Sequence, residues 1–149
     1  MGTNSTTLIG QIIWSIFIKN MSKFEDKIVS LLKKDKIKFI REKTFKDLHN
    51  GLYRYDFYLP DLNIICEANG EQHYYEVWGG RAKLLHQQEN DRRKISYALA
   101  NNIKMYIIPY WEKENIKTSK DIFQDKFLVK SKWHNDKKWI EYQNNRDIK

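Results

Sequence analysis

Asp56 and Glu67 stand in two otherwise apolar runs, YRYDFYL at 53–59 and NIICEAN at 63–69, joined by a Pro60-Asp61 turn. An acid inside an apolar strand is costly to bury unless something pairs with it. Two such acids aimed at one place want a cation. If the runs pair as a hairpin, Asp56 and Glu67 lie near each other on one face, and Asn69 shares that face. Carboxylates converging at one end of a sheet suit Mg2+, a hard ion that takes oxygen ligands and keeps several waters. Such an ion can activate water and stabilise the phosphorane-like transition state of phosphodiester cleavage.

The charge balance agrees with a phosphate-bearing partner. Across 149 residues, 27 Lys and Arg face 19 Asp and Glu, a formal charge of +8. Nucleic acid is the first candidate partner and an anionic membrane surface the second. A Lys-rich composition bias gives the same total. Aromatic residues at 14% argue against disorder, and the length suits one domain with a real core. The single cysteine, Cys66, excludes an internal disulfide and a Cys-based zinc site. It fits a reducing, cytoplasmic setting.

The elements that must position these residues follow from periodicity. Residues 22–34 read as a helix, with Phe24, Ile28, Leu31 and Leu32 at helical spacing and Ser22-x-x-Glu25 as a capping box. Residues 37–45 have strand character. In 52–59, Tyr53, Tyr55, Phe57 and Leu59 point one way and Arg54, Asp56 and Tyr58 the other. Residues 63–69 form the next strand, 76–85 with its WGG a loop, 87–101 a helix, and 104–110 a short strand. This order describes an α/β sandwich with a mixed sheet flanked by helices. The run LIGQIIWSIFI at 8–18 is too short to span a bilayer, contains Gly10, Gln11 and Ser15, and lacks a signal-like leader. It reads as a core or partner-facing segment, with a weak amphipathic anchor as the alternative, so no stable membrane association is expected. Residues 1–21 are an extension without an assigned role, 22–110 the core, and 111–149 a basic segment that contacts DNA or packs.

Phe24-Glu25, YRYDFYLP, IICEANGEQHYY and NDRRKISYALANNIKMYIIPY together resemble the PD-(D/E)XK nuclease superfamily. The likeness is greatest to the branch of very-short-patch-repair-type nucleases and phage homing endonucleases with a Glu-Asp-x-His-Asp core. It covers residues 22–110. The resemblance implies a restriction-endonuclease-like core, Mg2+ as cofactor with Mn2+ as a substitute, and DNA as substrate. It carries Glu25 to the acid of the first helix, Asp56 and Glu67 to the two motif acids, His73 to the histidine after the glycine turn, and Asp91 to the acid of the following helix. One departure stands out. Asn69 replaces the lysine of the acid-x-Lys motif, leaving His73, Gln72 or Lys94 to supply its function.

The expectation is a metal-dependent DNA endonuclease, with Asp56 and Glu67 on the metal and Glu25 and Asp91 acting through bound waters. His73 would move a proton or orient the water. Lys130, Lys132, Lys137, Lys138, Arg92, Arg93 and the loop at 76–85 would contact DNA, and a homodimer is a further expectation. Structural roles compete with each assignment: a capping box for Glu25, an ion pair with Arg41 or Arg54 for Asp56, a half-buried packing role for His73. Asp91 could form a surface pair with Arg92-Arg93, and Trp133 and Trp139 could pack rather than stack on bases. A nuclease selective for branched or damaged DNA and a non-catalytic DNA-binding module are the rival functions.

Overall fold

Four strands make one sheet in sequential order: β1 (Ile40–Thr44), β2 (Arg54–Leu59), β3 (Ile64–Asn69) and β4 (Lys104–Pro109). The first two pairings are antiparallel, while β3 and β4 run parallel through helix α2 (Gly80–Ala100). Parallel neighbours need such a crossover. Helix α1 (Leu8–Lys34) covers one face and α2 the other; α3 (His134–Asp147) follows at the end of the chain. The fold is mixed α/β, a four-stranded mixed sheet flanked by helices. The computed structural model describes residues 8–77 and 79–147, so residues 1–7 of the N-terminal extension and Trp78 of the WGG stretch lie outside it.

The second half of α1 forms as its periodicity predicts. Phe24, Ile28 and Leu32, four residues apart, are buried against Phe57, Leu59, Cys66 and Ala68 of the sheet. The helix does not start at Ser22, however. It runs unbroken from Leu8, which removes the capping box and places Ser22 inside the helix. No proline or turn signal interrupts residues 11–22, so nothing stops the helix from extending upstream. Leu8, Ile9 and Ile12 are exposed on that extension. Among the described residues no helix is long and apolar enough to cross a membrane.

Both α1 and α2 end in the same device. Lys36 and Asn102 take left-handed backbone (φ 56 and 55), and the next residues, Ile37 and Ile103, donate their N–H groups to Leu32 and Ala98 at 2.9 Å. This is a Schellman ending, with an apolar residue folded back over the last turn. Helix α2 starts at Gly80, seven residues before the expected 87, so residues 80–85 of the expected loop are helical. After Gly79 (φ 105), Arg81 to Leu85 are strong helix formers with no breaker among them.

The segment after β4 folds back onto the sheet. It makes three 3-10 turns, Tyr110–Asn115, Ser119–Asp121 and Asp125–Phe127, and buries Ile116, Ile122 and Phe127 in the α1 face of the core. Val129 donates its N–H to Met105 O at 2.8 Å and Leu128 bridges to Tyr106, so the outer edge of β4 is paired locally. Residues 111–129 therefore belong to the core, and α3 alone remains as the appended basic element. Phe127→Ala should cost about 3–5 kcal/mol of stability in urea unfolding. A loss below about 1 kcal/mol would mean that the segment only decorates the core.

Candidate functional site

The sheet is broken at Asp56. Pairing between β2 and β3 runs from Leu59–Ile64 to Phe57–Cys66 and stops there. Phe57 and Leu59 pack toward α1, whereas Tyr53 and Tyr55 pack toward α2, so the strict alternation expected over 53–59 fails at this residue. On the other side, Glu42 lies between the Arg41–Phe57 and Lys43–Tyr55 pairs and adopts φ 52. At the break Asp56 Oδ2 accepts the Ala68 N–H at 2.8 Å, so a carboxylate takes the place of a ladder partner. That is how an acid comes to lie between the two faces.

Three acids meet around this break. Glu67, on β3, is 4% exposed. Its carboxyl is held well above the usual carboxylate range, first by burial and then by the charge of Asp56, with Lys94 opposing. Glu25, on α1, is pushed up to about 7 by burial, by the charge of Asp56 and by a hydrogen bond shared with it; Arg41 at 3.8 Å pulls the other way. The acids form a chain with Asp56 in the middle. Arg41 pairs with Glu25 and Arg54 with Glu42 at 4.0 Å, so neither arginine neutralises Asp56 as an ordinary ion pair would.

Lys94 is the cation at the site. Its ammonium lies 2.5 Å from Glu67 Oε1 and 5.0 Å from the centre of the Tyr55 ring, with a side chain only 13% exposed. Burial works against its charge, but Glu67 and Asp56 more than offset this and keep the ammonium's pKa above its usual value. Asn69, which stands where the family resemblance leads one to expect a lysine, donates instead to the Tyr74 hydroxyl at 3.4 Å. Helix α2 thus delivers the ammonium that β3 lacks. Lys94 lies three residues after Asp91, one helical turn along the same face, and that spacing is the sequence signal that could have identified it.

A second polar group adjoins the first. His73, on the 3-10 turn Glu71–His73, donates Nδ1–H to Asp91 Oδ2 at 2.7 Å. Asp91 also accepts from Gln87 Nε2 at 3.2 Å and Asn135 Nδ2 at 2.8 Å. A carboxylate holding Nδ1–H leaves Nε2 as the basic nitrogen of the imidazole. Asp91 is 5% exposed, and Arg92 and Arg93 bond Glu89, Asp136 and Tyr53 instead, which excludes the surface-pair role considered for it. Glu67, Asn69, Asp91 and Lys94 line one cavity of about 10 Å³, so the two polar groups are contiguous. Neither Gln87 nor Asn135 carries a sequence signal of this role.

Among the described residues no group of three or more His, Cys, Asp or Glu side chains is placed to hold a metal ion by itself. The donor chemistry of Asp56 and Glu67, two carboxylates, fits a hard divalent ion that takes oxygen ligands and keeps several waters. Burial and the charge of Asp56 both raise the proton affinity of Glu67 and Glu25, a further sign of that fit. Of the residues expected to contact DNA, Lys130, Lys137 and Lys138 line one groove of about 490 Å³ together with Lys126. Lys132, Arg92 and Arg93 line another, of about 440 Å³. No protein-family model, characterised protein or solved structure matches this chain.

The raised Glu25 pKa fixes the sign of a pH effect. A carboxyl whose folded pKa of about 7 exceeds its ordinary 4.5 contributes stability below 4.5 that is lost as pH rises through 7. The melting temperature should therefore fall between about pH 5 and 8, and Glu25→Gln should flatten that fall. An unchanged slope in thermal melts of the variant would remove Glu25 from the acid chain.

Proposed function

We propose that the protein is a metal-dependent DNA endonuclease with a restriction-endonuclease-like core, hydrolysing phosphodiester bonds at the Asp56–Glu67–Lys94 cluster. The observation that carries this reading is a break between two strands where Asp56 takes a backbone N–H and the adjacent Glu67 pairs with a buried lysine. A purely structural ion pair would not require Asp56 and Glu25 beside it at the cost of raised proton affinities. The excess of cationic residues supports a polyanionic substrate.

Asp56 and Glu67 would hold Mg2+, with Mn2+ as a substitute. When bound, the ion would lower the pKa of a water and neutralise charge growing on the phosphate. Lys94 would keep a fixed positive charge beside the reacting phosphate, in a setting where little water screens it. Its ammonium occupies the role vacated by Asn69, which weakens the case for a non-catalytic module. His73, oriented by Asp91, would accept a proton from the attacking water or return one to the leaving oxygen through Nε2. Glu25 would bond metal-bound water.

Incubation with supercoiled plasmid and Mg2+ tests the reading. Nicked or linear product should form with Mg2+ and not with EDTA. Asp56→Asn and Glu67→Gln should each lower the rate about a thousandfold or more, and His73→Ala about a hundredfold. Either acid variant cutting at wild-type speed would refute the metal assignment. Lys94→Met should abolish cutting and also destabilise the fold by about 3–5 kcal/mol, because Glu67 is left buried without its cation. The double variant Glu67→Gln/Lys94→Met should recover most of that stability and none of the activity; no recovery in urea unfolding would place the cost elsewhere.

A further inference from the structure

The groove of about 440 Å³ lies on the flank of α2 opposite its buried face, with His49, Arg92, Arg93, Tyr97, Lys132 and Trp133 around it. Its volume falls within the range of sites that take small ligands, roughly 300–1,000 Å³. Trp133 is 47% exposed, unlike the core aromatics. The Arg92 guanidinium lies 4.8 Å from its ring centre, and the Lys132 ammonium also lies at 4.8 Å. Both cations stand over the ring. An exposed indole of this kind becomes a stacking surface with a phosphate donor beside it once the flexible Lys132 side chain turns from the ring to an anion.

The rest of the groove is built rather than incidental. Glu89 is neutralised within it by Arg92 at 3.3 Å and Arg93 at 3.5 Å. Arg92 is also fixed by Asp136 at 3.0 Å, and Arg93 by the Tyr53 hydroxyl at 2.9 Å, which leaves Arg93 donors free toward solvent. Lys132 forms no ion pair with the described residues. Opposite Trp133, His49, Asn50 and Gly51 are three successive left-handed residues, with φ 46, 54 and 79. Such backbone is costly for His and Asn and persists only where its surroundings hold it. Here Gly51 N–H bonds Leu48 O at 3.0 Å, Tyr97 bonds Asp47 at 2.6 Å, and the His49 ring stands edge-on to Tyr53. The strained turn sets His49 at the groove wall.

We propose that this groove receives one unpaired nucleotide of a DNA strand, its base stacked on Trp133 and its phosphate against Arg93 and Lys132. The inference rests on the reading of the protein as a DNA-acting nuclease and adds a preference for DNA with an extrahelical or frayed base. A paired base cannot present its face to the indole, whereas an extruded one can. Arg93 and Lys94 are consecutive on α2, one lining the groove and the other paired with Glu67, so the groove and the acid cluster lie on different flanks of one helix.

Binding in EDTA separates this site from cutting. Fluorescence anisotropy would compare a perfect duplex with the same duplex carrying one extrahelical thymidine. Wild type should bind the bulged duplex about tenfold or more tightly. Trp133→Ala should remove that margin while perfect-duplex affinity stays within about twofold, Trp133→Phe should keep part of it, and Ser96→Phe, filling the groove from α2, should remove it with Trp133 intact. Absence of the margin in wild type, or its survival in Trp133→Ala and Ser96→Phe, overturns the inference. A margin in a protein that never nicks plasmid would keep this site and reject the nuclease; nicking without the margin would do the reverse.

Discussion

Burying the Glu67 carboxylate is the constraint on which the rest of the arrangement depends. Removing a carboxylate from water costs several kcal/mol unless a cation and hydrogen bonds replace the solvent. The cation is Lys94, and it comes from α2, so the docking of that helix on the sheet is tied to the charge it answers. Tyr55 fixes the register from the other side by donating its hydroxyl to the Lys94 carbonyl at 2.8 Å. The compensation is incomplete. Three acids, Glu25, Asp56 and Glu67, face one ammonium and one guanidinium at 3.8 Å. Burial together with the remaining negative charge raises the proton affinity of Glu25 and Glu67, so that protonation is one way to relieve that charge. A divalent cation would relieve it differently, and without the loss of charge that protonation brings.

Asp91 plays the corresponding part for the second polar group. Its three donors come from the His73 turn, from α2 itself and from α3. Helix α3 is thereby bound to the site through Asn135, and through Arg92 to Asp136. Further along, Tyr142 stacks on Trp111 at 4.5 Å, and Trp111 meets Tyr74 edge-on at 4.7 Å, next to His73. The C-terminal helix therefore buttresses the turn that carries the histidine. Its lysines and its packing residues lie on one element and serve both purposes.

Much of this was legible in the sequence, and the misses have physical causes. The hairpin, the second half of α1 and the β4 strand follow from periodicity and turn residues, because single faces are buried there. Asp56 was legible as an odd acid in an apolar run, but the reversal of facing around it was not. Alternation assumes an unbroken ladder, and here a side-chain carboxylate replaces a backbone partner. Helix α1 was cut short because Ser22-x-x-Glu25 looks like a cap when the residues before it are ignored. Residues 111–129 read as polar since their buried positions, Ile116, Ile122 and Phe127, are spaced by 3-10 turns with no helical or strand period. Lys94 was legible as one of three candidates for the missing cation, with His73 and Gln72, and its spacing of three from Asp91 is what favours it over its basic neighbours Arg92 and Arg93.

The ion pairs of the molecule fall into two classes with different consequences for a polyanion. Lys130 with Asp125 at 2.8 Å, Arg81 with Glu76 at 3.7 Å and Arg93 with Glu89 at 3.5 Å are exposed. Pairs of this kind are screened by water and contribute little, so a phosphate can take over the cation at little cost. The acids of these pairs hold the cations in place until a polyanion competes for them. Lys94 with Glu67 is of the other class, with side chains 13% and 5% exposed. Exchange there would strand a buried carboxylate, and the ammonium stays where the fold puts it. Surface cations are thus free to follow a strand, while the one inside is fixed relative to the acids. A polyanion could shift along the first set without disturbing the geometry of the second, and the proposed nuclease activity would use that separation of gripping from chemistry.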